Sequence, residues 1–289
     1  MINAARLPLA AFALVSAFSG MGCKDKLMVH AQNAETNLHA EVPRAREAAR
    51  RLTADFLPKV RASGGPISAL VADGGGPALR SALVALTTPG GPMTLFSTSF
   101  VVATDREGRG IARDIANESD DRMRGMDLRT TFESVRKALV GQETLSDGEL
   151  PAVGDVPSRV VLVAAVPLRN AQGEIVGSLA AGITYGTLAR MIDGALRGGV
   201  GNSVFWTGIR VGERVLPSTG DRDVVARWLV PPVLIQKIPT AEAQRVASAG
   251  GEQYFHFAEG GRGWGGVVAS LPALPNGQLV LFRSEASQR

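Results

Sequence analysis

The sequence is poor in the residues that metal and disulfide chemistry need. One cysteine and three histidines in 289 residues exclude a disulfide framework and leave little material for a metal centre. Signatures of catalysis are missing too. There is no Gly-x-x-x-x-Gly-Lys phosphate loop, no His-Glu-x-x-His pair and no Gly-x-Ser-x-Gly elbow. No nucleophile–base pair can be assembled, so the expectation is a protein that is not an enzyme and has no cofactor. Basic blocks are absent as well. The 31 Lys and Arg are interspersed with 27 Asp and Glu, for a net charge of only +4. That pattern is ordinary solvated surface and predicts no nucleic-acid partner. After the first segment, no apolar run is long enough to cross a bilayer.

What the chain does have begins with a targeting segment. Arg6 supplies a positive start, and residues 7–18 are apolar but too short to span a membrane. Small residues then lead to Gly20-Met21-Gly22-Cys23. This resembles the lipobox of bacterial lipoproteins, with Gly20 in place of the usual Leu. It implies a signal peptide over residues 1–22, lipidation at Cys23, and an exported protein held on a membrane by its acyl chains.

Residues 24–62 predict a long helix. Leu38, Val42, Ala45, Ala49, Leu52, Phe56 and Val60 recur at three- and four-residue spacing. Pro43 is expected to kink or split it, and Ser63-Gly64-Gly65-Pro66 to end it. Pro77 opens a short helix through Leu79, Leu83 and Leu86. A strand is expected over residues 96–103, then a turn at Asp105-Arg106-Glu107-Gly108, then a second strand over residues 109–113. Residues 117–130 are charge-dense and predict a loop, with Asp127 or Thr130 capping the helix that carries Phe132, Val135 and Leu139. Residues 142–158 predict another polar loop.

The most regular stretch follows. Val160 to Val166, stopped by Pro167, and Ile175 to Ile183 predict two antiparallel strands covered on both faces. Thr184 then caps a helix with Leu188, Met191, Ile192 and Ala195 on one face, ended by Gly198-Gly199. After Gly199 a smaller unit is expected. It contains a hairpin over residues 204–216, helical pieces over residues 221–229 and after Thr240, and strands over residues 252–257, 264–269 and 279–282. Trp206, Trp228 and Trp264 are packing residues on this reading.

The order of these pieces resembles the extracytoplasmic Cache (PAS-like) sensor domain of bacterial histidine kinases and chemoreceptors. The residues that carry the resemblance are the Asp105–Gly108 turn between strands, the charged loop, the Phe132 helix ending at Ala138-Leu139-Val140-Gly141, the Ala165-Val166-Pro167-Leu168 strand, and Gly173-Glu174-Ile175-Val176-Gly177 through Ile183. It implies an α+β fold with a long N-terminal helix and two PAS-like units, each with a central antiparallel sheet. The expected division is lipidated Cys23 and stalk helix over residues 23–62, a membrane-distal Cache-like domain over 63–198, and a smaller membrane-proximal unit over 199–289. The distal unit is expected to hold a small-molecule pocket for an organic acid or amino acid, roofed by residues 117–130.

Arg113 falls where citrate-sensing relatives place a basic pocket residue. Arg124, Arg129 and Arg159 are further candidates, because guanidinium groups bind carboxylates bidentately. Thr184 and Tyr185 could add neutral hydrogen bonds. Receptors of this type continue into a transmembrane helix and an output module. This chain stops at Arg289, so a membrane signalling partner protein is expected. The alternative is a structural or interaction lipoprotein whose Cache scaffold binds a partner protein and has lost its pocket.

Overall fold

The periodic apolar positions of the N-terminal stretch form one face of a 50-residue helix, α1 (Cys23–Ala72). At 1.5 Å per residue it is roughly 75 Å long. Leu38, Val42, Ala45, Phe56 and Val60 are buried along it. The computed structural model describes residues 23–152, 157–197, 203–217, 225–274 and 276–285. The expected leader over residues 1–22, the side chain of Cys23, the Gly198-Gly199 stop and residues 221–224 of the helical piece expected over 221–229 lie outside them. The described part of that piece is a single 3-10 turn, Ala226–Trp228.

Two five-stranded antiparallel sheets lie against this helix. The first contains β1 (Phe100–Thr104), β2 (Gly110–Arg113), β3 (Thr144–Leu150), β4 (Arg159–Arg169) and β5 (Ile175–Thr184), in the order β2-β1-β5-β4-β3. The second contains β6 (Val204–Val211), β7 (Arg214–Leu216), β8 (Glu252–Glu259), β9 (Arg262–Ser270) and β10 (Gln278–Ser284), in the order β7-β6-β10-β9-β8. The two orders are the same pattern. The repeat that sequence similarity is too weak to reveal is explicit in the topology.

Helix α2 (Pro77–Thr87) sits beside the β1–β2 edge. Two short helices, α3 (Leu128–Thr131) and α4 (Glu133–Ala138), cover the other face of the first sheet. Helix α5 (Tyr185–Arg197) runs from β5 to β6 and joins the units. The short α6 (Pro232–Ile235) and α7 (Thr240–Ser248) lie in the second unit.

Apolar packing decides where α1 goes. One continuous core joins α1, α5 and the inner faces of both sheets, from Val101, Leu162 and Ile183 to Val267, Leu279 and Leu281. The N-terminal half of α1 touches β9 backbone to backbone. A Cβ on Gly265 would stand 2.2 Å from the Glu35 nitrogen, so only glycine admits this approach. Arg46 fixes the register, donating from Nε to the Ser270 carbonyl at 2.9 Å and pairing with Glu252.

Three expectations are corrected. The helix does not end at residues 63–66 but runs through Pro43, Pro58 and Pro66 to Ala72. Ile67 and Val71 are buried against the first sheet there. Burying two such side chains contributes about 3–6 kcal/mol, enough to offset the roughly 3 kcal/mol that a proline costs a helix interior. Pro167 does not stop its strand either, since β4 continues to Arg169. It lies past the end of the β3 pairing, which closes at Ala165, so β4 has a neighbour on one side only there. A strand tolerates a missing N–H in that setting. Finally, the polar stretch after Gln142 contains the edge strand β3. Five of its residues, Thr144, Ser146, Asp147, Gly148 and Glu149, are polar or glycine, so no apolar alternation announces it.

Candidate ligand-binding site

A cavity of about 230 Å³ opens on the face of the first sheet turned away from α1. Its construction starts from two glycines. Gly182 on β5 stands opposite Phe100 on β1, and a Cβ there would lie 2.2 Å from the Phe100 ring. Gly148 on β3 bridges to Phe132, and a Cβ there would lie 2.4 Å from that ring. The two missing side chains let both rings lie in the sheet surface, stacked with centroids 5.5 Å apart and planes inclined by 19°. Such a pair contributes about 0.5–1.5 kcal/mol beyond its buried area. Met123, Met126, Leu128 and Leu150 complete the apolar wall.

The roof is strapped down by backbone bonds. Gly110 donates to the Met126 carbonyl at 3.0 Å, Gly125 to the Gly110 carbonyl at 2.8 Å, and Leu128 to the Gly108 carbonyl at 2.9 Å. Asp121, buried beneath it, accepts from the backbone N–H groups of Arg113 at 3.0 Å and Met123 at 3.2 Å, and faces Arg80 at 3.5 Å. Asp127 caps α3 by accepting from the Arg129 N–H.

The polar lining is cationic. Arg113, Arg122 and Arg159 line the cavity together with Thr131 and Pro151, and among the described residues no acidic side chain does. Arg113 is held from behind. Its Nη2 donates to the Ser99 carbonyl at 2.8 Å and its Nε faces Asp114 at 3.4 Å. Its Nη1 has no partner among the described residues. Asp114 also accepts from the Val101 N–H at 2.9 Å, and burial raises its carboxyl above the usual range. Arg122 is exposed and makes no ion pair or hydrogen bond among the described residues.

Of the residues singled out from the sequence, the structure therefore brings Arg113 and Arg159 to one cavity. Arg124 is on the roof but ion-pairs with Glu118 and does not line it. Arg129 faces outward and grips Asp127 with both Nε and Nη2, at 3.0 and 2.8 Å. That contact raises the guanidinium and lowers the Asp127 carboxyl to about 2. Thr184 is used locally, accepting from the Thr187 N–H at 3.1 Å as the cap of α5. Tyr185 points into the α1-side core, and its hydroxyl donates to Asp147. Burial and that carboxylate push the phenol well above its ordinary range.

Sequence reading missed Arg122 and both rings. For the rings, the usable signal is a phenylalanine set opposite a glycine across a ladder. In the second unit the corresponding face is packed by Trp264, Phe282, Val268 and Val280, with Phe255 and Phe257 set edge-on to Phe282. Among the described residues, no helix is long and apolar enough to cross a membrane, and no cluster of metal-ligating side chains occurs.

No family model matches the chain, and no curated protein does. Solved structures do resemble it. A domain of a sensory-box/GGDEF family protein from Vibrio parahaemolyticus superposes with a TM-score of 0.59 at 10% identity, covering 90% of this chain and 98% of that one. The extracellular domain of the histidine kinase vpHK1S-Z8 gives 0.58 at 10% identity, with coverages of 88% and 92%. The sensor domain of the histidine kinase DctB from V. cholerae gives 0.52 at 12% identity, with coverages of 89% and 99%. At these identities the likeness is one of fold, and it extends over both sheets and the long helix. The chain has the fold of Cache (PAS-like) extracytoplasmic sensor domains.

Proposed function

We propose that this protein is an exported, non-enzymatic, sensor-type binding protein of double-Cache build that recognises a small anionic metabolite, an organic acid or amino acid. The observation that carries the reading is the cavity beneath the strapped roof, with three arginines and, among the described residues, no acidic side chain in its lining. Arg113 is the charge partner. Its guanidinium is oriented by Ser99 and Asp114 and keeps Nη1 for a ligand oxygen. Lipidation at Cys23 holds the chain on a membrane surface, where a signalling protein receives the bound state. Ligand acts by favouring one arrangement of roof and α1, which only a difference in affinity between two states can do. The interaction-module alternative called for a filled cup, and the cup of the first unit holds a cavity.

A thermal-shift screen of organic acids and amino acids tests the reading. A ligand at a hundred times its Kd stabilises the folded state by roughly 2.7 kcal/mol. Stabilisation that is lost in Arg113→Ala is the expected result. No stabilisation by any compound, with one stoichiometric partner protein retained on purification, replaces binding of a metabolite with the interaction role.

A further inference from the structure

Strand β3 is shared between the cavity and the second unit. Successive side chains of a strand point to opposite faces, and its residues divide accordingly. On the cavity face, Gly148 bridges to Phe132, Leu150 lines the cavity, and the Ser146 hydroxyl accepts from the Ser134 N–H of α4 at 2.9 Å. On the opposite face, Leu145 packs against the shared core and Asp147 holds two groups at once. Its Oδ1 accepts from the hydroxyl of Tyr185, the first residue of α5. Its Oδ2 accepts from the Asn276 side-chain amide, in the β9–β10 connection of the second unit, at 2.6 Å.

Two features make β3 responsive to the cavity. Among the described residues it pairs with β4 on one edge, and its other edge carries the single bridge to Phe132. The ring of Phe132 also lies directly on the backbone of Gly148, where a Cβ would stand 2.4 Å away. A molecule that moves this ring therefore pushes on the strand itself. The carboxylate of Asp147 is rigid and planar, so its displacement is felt at both of its partners. The Glu149–Arg214 pair crosses to the second unit from the same strand, but both side chains are about half exposed and it adds little.

We infer that β3 transmits the state of the cavity to the second unit through Phe132, Gly148 and Asp147, with Asn276 as the receiving side chain. This rests on the binding function proposed above for what fills the cavity, and gives that binding a readout in the second unit. Coupling of this kind is reciprocal, so a change made at Asn276 is also felt in the cavity wall.

NMR of the full chain tests this without a ligand. Phe132→Leu is expected to shift the backbone amide resonances of Gly277 and Gln278, and the shift is lost when Asn276→Ala is present as well. In the reverse direction, Asn276→Ala shifts the methyl resonances of Met123 and Met126, which line the cavity. Asn37→Ala is the control. It breaks a comparable amide–carboxylate bond, to Glu285, away from β3, and leaves those methyl resonances in place. Asn37 and Asn276 are both exposed, so this pair of variants decides the matter should Phe132→Leu not fold. Methyl resonances unmoved by Asn276→Ala, or moved equally by Asn37→Ala, overturn the inference. Amide shifts that persist in the double variant do so too. Arg113 is intact in every variant, so these results leave the binding function to be judged by the thermal-shift screen.

Discussion

At the scale of single residues, the site depends on side chains that are absent. Gly148→Ala would drive a methyl group to 2.4 Å from the Phe132 ring and Gly182→Ala one to 2.2 Å from Phe100. Each ring must move, and overpacking of this kind costs about 1–3 kcal/mol. Both variants are expected to melt lower and to bind ligand more weakly, by thermal denaturation and titration. The roof makes its own prediction. Arg129 lowers the Asp127 carboxyl to about 2. A carboxyl depressed on folding contributes stability that is present above its unfolded value, about 3.9, and lost as pH falls through its folded one. An NMR titration of Asp127 should therefore have its midpoint near 2 and move upward in Arg129→Ala, staying below the unfolded value because the residue 129 backbone N–H and Arg109 still favour the carboxylate. An unmoved midpoint would show that the contact is not made in solution.

The position of Arg113 was accessible from the sequence because it follows the Asp105–Gly108 turn in a recognisable order. Its tether to Ser99 was not, since that bond joins the strand to a residue 14 positions earlier. Arg124 and Arg129 differ from Arg122 only in having an acidic neighbour within reach, Glu118 and Asp127. Sequence proximity alone could not assign those pairs.

At the scale of elements, long-range burial overrides local signals. Apolar periodicity correctly predicted α1 up to Val60, and the Ser63–Pro66 cluster then predicted a stop that Ile67 and Val71 overrule. Two substitutions follow. Gly64 lies inside the helix, and a Cβ there would meet Val166 and Leu168 at 3.5 and 3.6 Å, ordinary contact distances. Gly64→Ala should stabilise the protein by about 0.5–1 kcal/mol. Ile67→Ala should cost about 2–5 kcal/mol, by chemical denaturation. Destabilisation by Gly64→Ala, or none by Ile67→Ala, would mean that this turn is frayed in solution. The hairpin of β4 and β5 was legible because both strands are buried runs of β-branched and small residues. Strand β3 was not, because its pairing with β4 and not its composition makes it a strand.

At the scale of the molecule, the two sheets repeat one strand order while sharing one core through α1 and α5. Links between the units add to it. Asn276 donates to Asp147 at 2.6 Å, Arg214 to the Ser158 carbonyl at 3.0 Å, and Thr207 to Asp193 at 3.0 Å. The expected calorimetric result is one unfolding transition whose van't Hoff and calorimetric enthalpies agree. Two resolved transitions would mean that the shared core does not couple the sheets. The same linkage connects the pocket of the first unit to the second unit. The Gly148 that makes room for Phe132 sits next to Asp147, which holds both Tyr185 and Asn276.

The claim on which the functional account rests is that the first unit binds an anion through Arg113. A crystal structure of the protein with the carboxylate that stabilises it most in the thermal-shift screen tests this most directly. The account predicts the carboxylate on the Arg113 guanidinium and the rest of the molecule in the cavity lined by Phe100, Phe132 and Met126. The acid bound elsewhere, or an Arg113 turned to solvent above a collapsed cavity, would contradict it.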